Sequence, residues 1–397
     1  MTDHPAIRIN EHAVRRVRQG YPWIFFSEVI NANEAKQVEP GSIVDFTRDK
    51  GDFVARGYFN PKPQLCGRVL TRKAEEKIER FFIYHCIEHA IVYRDKIFGQ
   101  PYYRLIHGES DGMPGLVVDR YGDVVVCQLN TAGMEKLYPH IETALKSLLQ
   151  PRAIVLRNDT PTREAEGLSQ EVKVAYGELP DKLVEIHDGV AKFNVNVMEG
   201  QKTGWFFDQR DNRRWVAQLA RDSSILDVFC HTGGFGIMAA MAGSQNVTFV
   251  DASSDALMML DKNIALNDVA GKCQVIEGPA FETMEKILRL GRKFEVVSVD
   301  PPAFIKSKKD LGAGMKGYQK LAKLAAPLVV SAGYLFFASC SSHAETRHLI
   351  EVVSDGLSKA GREFQLIKVT GAAPDHPVHP MLPETNYLKG LTFRFLN

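Results

Sequence analysis

The sequence of 397 residues lacks the features of an exported or membrane-embedded protein. No run reaches the roughly 18–20 consecutive apolar residues that cross a bilayer. The N-terminus MTDHPAIRIN has no apolar signal core. The six cysteines include no CxxC pair, so neither a disulfide framework nor a cysteine-based zinc site is indicated. We therefore expect a cytoplasmic protein without a membrane partner or a bound metal.

The sequence also lacks a strong charge of either sign. A formal net charge of +1 argues against a basic coat that binds nucleic acid over the whole surface. A local basic patch is still compatible with RNA binding. Residues 1–72 contain 11 Lys and Arg against 8 Asp and Glu, and Arg15, Arg16 and Arg18 lie close together in this segment.

Three regions differ in the spacing of their apolar residues. Residues 1–72 alternate short β-like runs such as GSIVDFT and FVARGYF with Gly, Pro and Asn turns, which predicts a small β-barrel or sandwich. Residues 73–195 are typical of a mixed α+β domain that opens with a long helix over 74–99. Residues 196–397 alternate β-branched runs with amphipathic helices, which predicts a mostly parallel α/β sheet covered on both faces. Its strands are predicted at 224–229, 247–251, 273–276, 294–299, 333–339, 364–369 and 391–396.

Acidic residues end the first two strands of this predicted sheet. Asp227 leads into a loop in which Gly233 and Gly234 let the backbone pass close to a ligand at a helix N-terminus. The spacing is not GxGxxG, and Asp251 follows at a position where a carboxylate accepts both hydroxyls of a ribose. These features favour S-adenosylmethionine, with its charged amino-acid tail on Asp227. The alternative is a turn carboxylate beside a tight loop.

The fourth and fifth strands end in an acid and a thiol. VVSVDPPAF places Asp300 before two stiffening prolines, an arrangement suited to clamping a flat heterocycle. LFFASCSSH places Cys340 at the end of the next strand. A thiolate there can add to C6 of a pyrimidine and make C5 able to accept a methyl group, whereas methylation of an exocyclic nitrogen needs no cysteine. Four other cysteines are interpreted as packing residues: Cys66, Cys86, Cys127 and Cys273. Cys230, in the glycine loop, is interpreted as lining the cofactor pocket.

Several motifs together resemble bacterial class I methyltransferases of the large-subunit rRNA cytosine-C5 type. They are QGYPWIFFSEV, GQKTGWFFDQRDNR, LDVFCHTGGFG, VDPPAFIKSKKD, ASCSSH and DHPVHPMLPETNYLKGLTF, and they extend over nearly the whole chain. The resemblance implies a PUA-like RNA-binding domain at 1–72, a central α+β domain at 73–195 and a Rossmann-like S-adenosylmethionine-dependent methyltransferase domain at 196–397. It also makes a homodimer an expectation.

The resemblance further implies roles for individual residues. Cys340 is implied as the nucleophile and Asp300 as the acid that holds the base. The implied cofactor-binding residues are Thr203, Asp208, Arg210, Asp227, Phe229, Thr232, Gly233, Gly234, Asp251, Ala252, Ala280, Phe281, Asp300 and Pro301.

Two positions carry a second interpretation. Asp208 precedes the helical run QRDNRRWVAQLA and is also a candidate helix N-cap. Pro279 stands where related methyltransferases commonly place an aspartate against the adenine amine, so backbone groups of Ala280 or Phe281 are the candidate contacts instead.

The base that removes the C5 proton is left open among His343, Tyr318 and a water molecule. His376 and His379 have no carboxylate–histidine spacing typical of a metal site and are interpreted as loop residues.

RNA phosphates are expected to contact two groups of basic residues: Arg15, Arg16, Arg18, Lys306, Lys308 and Lys309. Solvated surface charge is the alternative interpretation of both groups. Two other functions also remain, namely methylation of a guanine or adenine nitrogen with Cys340 only packing, and a catalytically idle RNA-binding protein. The glycine loop, Asp251 and the DPP motif count against the idle protein.

Overall fold

A computed structural model describes residues 4–397 as two compact units. The first unit consists of the chain up to Val184, Val195–Trp205 and Asp375–Pro383. The second consists of Glu185–Asn194, Phe206–Pro374 and Glu384–Asn397. Within the described residues, no helix combines the length and the apolar character that a membrane crossing requires. The division at residues 72 and 195 stays a prediction.

The N-terminal part of the first unit is a closed five-stranded sheet. Its elements are β1 (Ala6–Arg8), α1 (Glu11–Arg18), β2 (Trp23–Phe25), α2 (Ala32–Ala35), β3 (Ser42–Thr47), β4 (Phe53–Phe59) and β5 (Leu65–Thr71). The strand order is β1-β3-β4-β5-β2, and an antiparallel bridge between Ile9 and Val29 joins the two edges. Helix α1 begins where the Asn10 side chain accepts a hydrogen bond from the Ala13 N–H. The predicted small barrel is therefore confirmed.

The rest of the first unit is built on a second five-stranded sheet. Its elements are α3 (Arg80–Ile97), β6 (Tyr102–His107), β7 (Leu116–Tyr121), β8 (Val124–Leu129), α4 (Ala132–Leu149), β9 (Ala153–Asn158), α5 (Thr162–Glu166) and β10 (Glu171–Gly177). The order is β10-β9-β8-β7-β6, with only β8 and β9 parallel. The predicted helical start at residue 74 is wrong. The Arg56 guanidinium donates hydrogen bonds to the carbonyl oxygens of Ala74 and Glu76, which a helical turn would need for itself.

The second unit contains the seven-stranded sheet predicted from the sequence. A hairpin of β11 (Leu183–Asp188) and β12 (Ala191–Asn196) precedes it along the chain. The following elements are α6 (Arg210–Leu219), β13 (Ser224–Val228), α7 (Gly234–Met241), β14 (Asn246–Asp251), α8 (Ser254–Leu266), β15 (Cys273–Glu277), α9 (Ala280–Arg289), β16 (Phe294–Val299), α10 (Leu311–Ala325), β17 (Val329–Ser339), α11 (Thr346–Lys359), β18 (Phe364–Thr370) and β19 (Lys389–Phe395). All seven predicted strands are present, and the α/β class is confirmed.

The strand order of this sheet places the polar strand ends at one edge. The order is β15-β14-β13-β16-β17-β19-β18, and only β19 runs antiparallel to its neighbours. The sheet grows outward from β13 in one direction and resumes at β16 in the other, which is the switch point where open α/β sheets bind ligands. Asp227 and Asp251 lie in or at the carboxyl ends of β13 and β14, and Asp300 and Cys340 follow β16 and β17.

Candidate active site

Asp227 is a buried acid with incomplete hydrogen bonding. The residue is only 1% exposed, and one carboxyl oxygen accepts a hydrogen bond of 2.9 Å from the Gly236 N–H. The other oxygen has no hydrogen-bond partner within residues 4–397. Burial raises the pKa of Asp227 to about 8, and the charges of Asp300 and Asp251 act in the same direction. A cationic ligand group at this oxygen would restore the ionised form.

The loop after Asp227 has a strained, closely packed backbone. Phe229 and His231 have φ angles of +62° and +50°, in the left-handed region that costs non-glycine residues energy. Gly233 has φ +91°, and a Cβ atom there would lie 2.3 Å from the Leu260 Cδ1. Gly234 begins α7 as predicted, so free backbone N–H groups face the loop. Such stored strain is typical of ligand-binding loops.

Asp251 is oriented by two backbone hydrogen bonds. One carboxylate oxygen accepts from the His231 N–H at 2.8 Å and the other from the Ser253 N–H at 3.0 Å. Each oxygen keeps a further lone pair for a ligand hydroxyl. Ala252 beside it is exposed, and Thr232 uses its carbonyl oxygen to accept from the Asn263 side chain at 3.1 Å.

Helix α9 begins beside this strand edge with Ala280 and Phe281 in its first turn. Pro279 is at the N-cap position and makes no side-chain hydrogen bond. The N–H groups of Ala280 and Phe281 have no intrahelical acceptors, as expected for a first turn. The Lys320 ammonium lies 5.2 Å from the centre of the Phe281 ring. The adenine contact predicted for these two residues stays a prediction.

Asp300 follows β16 and is held by a side-chain amide. The Gln209 Nε2 donates a 2.9 Å hydrogen bond to the Asp300 carboxylate. Gln209 is itself fixed, because its oxygen accepts from the Asn212 amide at 2.6 Å. Pro301 after the acid is buried and Pro302 is exposed, and the stiffening of this backbone by the two prolines stays a prediction.

Cys340 follows β17, the strand directly parallel to β16. The register pairs Val299 with Phe337, so both strands end at the same edge of the sheet. The Tyr318 hydroxyl bonds to the side chains of Ser339 at 2.9 Å and Ser341 at 2.8 Å, which flank Cys340. Tyr318 therefore holds the residues on both sides of Cys340 through hydrogen bonds.

Tyr318 also joins the two segments that follow β16 and β17. The Ser341 hydroxyl accepts a hydrogen bond from the Ile305 N–H, and the Tyr318 ring stacks on Phe304 with centres 4.8 Å apart. Burial raises the pKa of Tyr318 above its ordinary value, so its phenol is protonated at neutral pH. A protonated phenol does not favour Tyr318 as the C5 base, and the choice of base stays a prediction. His343, a second candidate base, lies exposed in the turn after Cys340.

These features fit S-adenosylmethionine. A buried carboxyl oxygen without a partner suits the ammonium of the cofactor, and an oriented carboxylate at the next strand end suits a ribose. Gly233 lets the loop pack closely against the protein beside these two acids, because a Cβ atom there would collide with Leu260.

Comparison with known proteins defines the family. A model of PUA-like domains matches residues 7–72, and a model of S-adenosylmethionine-dependent methyltransferases matches residues 150–379. The chain is 36% identical over 380 residues to the ribosomal RNA large subunit methyltransferase I of Pseudoalteromonas atlantica, with 95% of each chain covered. It is 35% identical to the protein of that name from Shewanella frigidimarina, with 98% of each covered. The chain belongs to the ribosomal RNA large subunit methyltransferase I family.

Solved structures agree on the fold. A methyltransferase complexed with SAH has a TM-score of 0.83 and 18% identity, covering 98% of this chain and all of its own. A SAM-dependent methyltransferase from Streptococcus mutans has a TM-score of 0.81 at the same identity and coverage. At this identity the likeness concerns the fold. The family membership makes the chain an S-adenosylmethionine-dependent methyltransferase, as expected from its motifs.

Within this methyltransferase, the stretch KTGWFFDQR is divided between the two units. Thr203 belongs to the first unit, where its buried hydroxyl donates to Asp119 and lies 3.1 Å from the Tyr121 hydroxyl. Asp208 belongs to the second unit and accepts a 2.5 Å hydrogen bond from the Tyr387 hydroxyl. The N-cap interpretation of Asp208 is wrong, because α6 begins at Arg210 and Gln209 is its N-cap residue.

Arg210 is buried in an ion pair. Its Nε lies 3.5 Å from Asp188, whose other oxygen accepts from the Arg213 Nε at 2.9 Å. Asp188 thus anchors the start of α6. The cofactor roles of Thr203, Asp208 and Arg210 stay predictions.

The remaining cysteines have thiols that resist ionisation. Burial raises the pKa of Cys66 to about 12 and of Cys86 and Cys273 to about 11, and raises the pKa of Cys127 and Cys230 as well. A thiol of such high pKa is a poor nucleophile at neutral pH. This agrees with their interpretation as packing residues.

The predicted RNA-contacting residues differ in their surroundings. Arg15 and Arg18 are exposed on α1, whereas Arg16 bonds to Glu28 at 2.5 Å and lies 4.2 Å from the centre of the Tyr21 ring. The three lysines of the loop after β16 are all exposed: Lys306, Lys308 and Lys309.

The histidines of the DHPVHP segment have protein partners. The His376 Nδ1 lies 2.9 Å from the Asp375 carboxylate, and the His379 Nδ1 accepts from the Met381 N–H at 3.2 Å. Within residues 4–397, no cluster of His, Cys, Asp or Glu has the makings of a metal site.

Three site residues escaped sequence reasoning. Gln209, Tyr387 and Lys389 all lie inside motifs that carried the family resemblance, yet their partners are mostly far away in the sequence. Lys389 gave no signal in the sequence either, because its burial at the start of an apolar β run is visible only in the fold.

Proposed function

We propose that this chain methylates C5 of a cytosine in large-subunit ribosomal RNA, with Cys340 as the covalent nucleophile. The observation that carries the proposal is the arrangement of Cys340 and Asp300 after neighbouring parallel strands, at the edge that also holds Asp227 and Asp251. The name shared by the relatives, ribosomal RNA large subunit methyltransferase I, supports the RNA substrate.

The chemistry assigned to the residues is as follows. The Cys340 thiolate adds to C6 of the cytosine, forming an S–C6 bond while the C5=C6 electrons move toward C5 and N3. Asp300 accepts from the exocyclic amine and, in its acid form, donates to N3, where the charge develops. When bound, S-adenosylmethionine supplies the methyl group that C5 accepts. A base then removes the C5 proton, the C5=C6 bond re-forms and the S–C6 bond breaks, which returns Cys340.

The protein must also hold the RNA around an unstacked base, because a stacked cytosine cannot reach the end of a strand. We assign the phosphate contacts to the exposed Arg15 and Arg18 and to the loop lysines, with Arg16 supporting them through Glu28. The three-domain division and a homodimer complete the proposal, and light scattering of the purified protein tests the second.

Replacement of Cys340 tests the mechanism directly. Cys340→Ala should lower methyl transfer to rRNA by at least about a thousandfold, because the covalent route is lost, while SAH affinity stays within about twofold of the wild type, since no cofactor contact is removed. The matched control is Cys273→Ala in β15, a partly exposed cysteine outside the site, which should keep full activity. Full activity of Cys340→Ala would contradict the covalent mechanism.

A trapping experiment separates the two kinds of methylation. RNA carrying 5-fluorocytidine should form an adduct stable to denaturation with the wild type and with Cys273→Ala, since fluorine cannot leave as the proton does. Mass mapping of the adduct should identify Cys340. Turnover without any adduct, with the methyl group found on a guanine or adenine nitrogen, would favour nitrogen methylation instead.

A further inference from the structure

A lysine is buried next to the Cys340 segment. Lys389 is the first residue of β19, pairs directly opposite Ser339 in the antiparallel ladder and is only 4% exposed. Its ammonium donates hydrogen bonds to the carbonyl oxygens of Ser341 at 3.0 Å and Tyr387 at 3.1 Å. Ser339 and Ser341 flank Cys340, so the ammonium is tied to the turn that carries the thiol.

Burying an ammonium is costly unless another interaction offsets the cost. No carboxylate of the described residues lies within ion-pair distance of Lys389, and an ammonium has three N–H donors, of which carbonyl oxygens occupy two. A partner for the third donor, and for the charge, is therefore expected close to the Cys340 turn.

We propose that Lys389 is a positioning residue that stabilises the Cys340 thiolate and thereby prepares it for attack. This inference rests on the proposed covalent role of Cys340. Burial lowers the pKa of Lys389 below its ordinary value, and the charge of Cys340 opposes this shift, so each group favours the charged form of the other. A cation beside a cysteine is the usual means of obtaining a thiolate at neutral pH.

The other ionisable groups around the Cys340 turn do not supply this charge. Tyr318 of α10 is a neutral phenol, and the Tyr387 hydroxyl is bonded to Asp208. Asp300, after β16, is an acid and carries no positive charge in either protonation state. His343 is exposed to solvent, which screens its charge. Among these groups, Lys389 is the one that is both cationic and buried against the Cys340 turn.

The pH dependence of Cys340 alkylation measures this effect without turnover. Iodoacetamide labelling of the full-length protein, quantified on the Cys340 peptide by mass spectrometry, should give a midpoint about one pH unit or more below the ordinary thiol value of about 8.5. Lys389→Met and Lys389→Gln should both move the midpoint up by about one unit or more and slow labelling at pH 7 about tenfold. Gln keeps hydrogen-bond donors, so a merely structural role would leave its midpoint unchanged. Lys368→Met on the adjacent strand β18 is the matched control.

The outcomes separate this inference from the proposed function. A wild-type midpoint at or above about 8.5, which needs no variant to fold, overturns the inference. So does an unshifted midpoint in a folded Lys389→Gln protein that binds SAH normally. A shifted midpoint together with full activity of Cys340→Ala would support the charge pairing and overturn the covalent function. A shifted midpoint with slower 5-fluorocytidine trapping supports both.

Discussion

Two buried polar regions of this methyltransferase use charge in opposite ways. In the first unit, Arg94 contacts Asp111 through two hydrogen bonds of 2.6 and 2.8 Å, and Arg104 contacts Asp119 through two of 2.6 and 2.9 Å. In the second unit, Asp227 is equally buried but accepts one backbone hydrogen bond and has a raised pKa. The first region neutralises its charges internally, and the second does not.

This difference separates structural charge from functional charge. A buried pair of this kind neutralises its own charges, so it needs no charged ligand to offset its burial. A buried carboxylate without a cation destabilises the free protein, and a cationic ligand that binds to it restores that stability. By this criterion the candidate site is recognisable from its missing partners as much as from its motifs.

Breaking a complete pair should give the largest effect on stability. Arg104→Met leaves Asp119 buried at 0% exposure without its cation and should lower the free energy of unfolding by about 3–5 kcal/mol. Urea unfolding followed by intrinsic fluorescence measures this decrease. The same variant should disturb Thr203, whose hydroxyl donates to Asp119.

An exposed pair of the same kind is the control for this prediction. Arg152 lies 3.1 Å from Asp123, with side chains 43% and 61% exposed, so Arg152→Met should cost less than about 1 kcal/mol. Equal decreases in the two variants would contradict the distinction between complete buried pairs and surface pairs.

Removing the charge of Asp227 should have the reverse effect. Asp227→Asn keeps the shape of a protonated carboxyl, so the free energy of unfolding at pH 7 should not fall, whereas SAH affinity should fall about 10- to 100-fold because the ammonium loses its anion. Calorimetric titration with SAH measures the second change. The isosteric Asp123→Asn at the surface should alter neither quantity.

The pH dependence of stability carries the same information. The pKa of Asp227 is about 8 in the folded protein and near 4 when unfolded, so the folded state binds more protons between these values. Its contribution is therefore present at low pH and is lost as the pH rises toward about 8, by up to about 1.4 kcal/mol per pH unit. The difference between wild type and Asp227→Asn should show this slope. A difference that does not change with pH would mean that Asp227 is ionised in the free protein.

Much of the seven-stranded sheet of the second unit was predictable because its sequence signals are local. Each buried parallel strand is a nearly continuous apolar run, as in Leu335–Ala338, and each strand end is marked by an acid or a thiol.

In the first unit, the predicted start of α3 is wrong because Arg56, distant in the sequence, donates hydrogen bonds to the carbonyl oxygens of the predicted first turn. Tertiary hydrogen bonds there override local helix propensity.

The parts of the site that were missed depend on long-range partners. Asp208 bonds to Tyr387 across 179 residues and Gln209 bonds to Asp300 across 91, and no local pattern encodes either contact. Lys389 appears in the sequence as an ordinary strand residue, and only burial against the Ser341 carbonyl shows its importance. Residue types marked the strand ends, but the partners of those residues required the fold.

Exposed charges extend the comparison to the surface, where the expected effects are smallest. Replacing Lys306, Lys308 and Lys309 together by Ala should weaken rRNA binding several-fold at moderate salt. It should also reduce the slope of log affinity against log salt by about 0.7 for each RNA phosphate that these lysines neutralise. Filter binding at several salt concentrations measures both quantities.

The matched control removes the same charge elsewhere. The control variant replaces three other exposed lysines, outside the loop after β16, by Ala: Lys272, Lys286 and Lys293. This variant should leave the salt slope unchanged. A net-charge effect would move both triple variants alike, because each removes three positive charges from a nearly neutral protein. Only a difference in salt slope between the two triple variants assigns the phosphate contacts to the loop beside Asp300. Equal slopes would mean that the lysines of this loop are ordinary solvated surface residues.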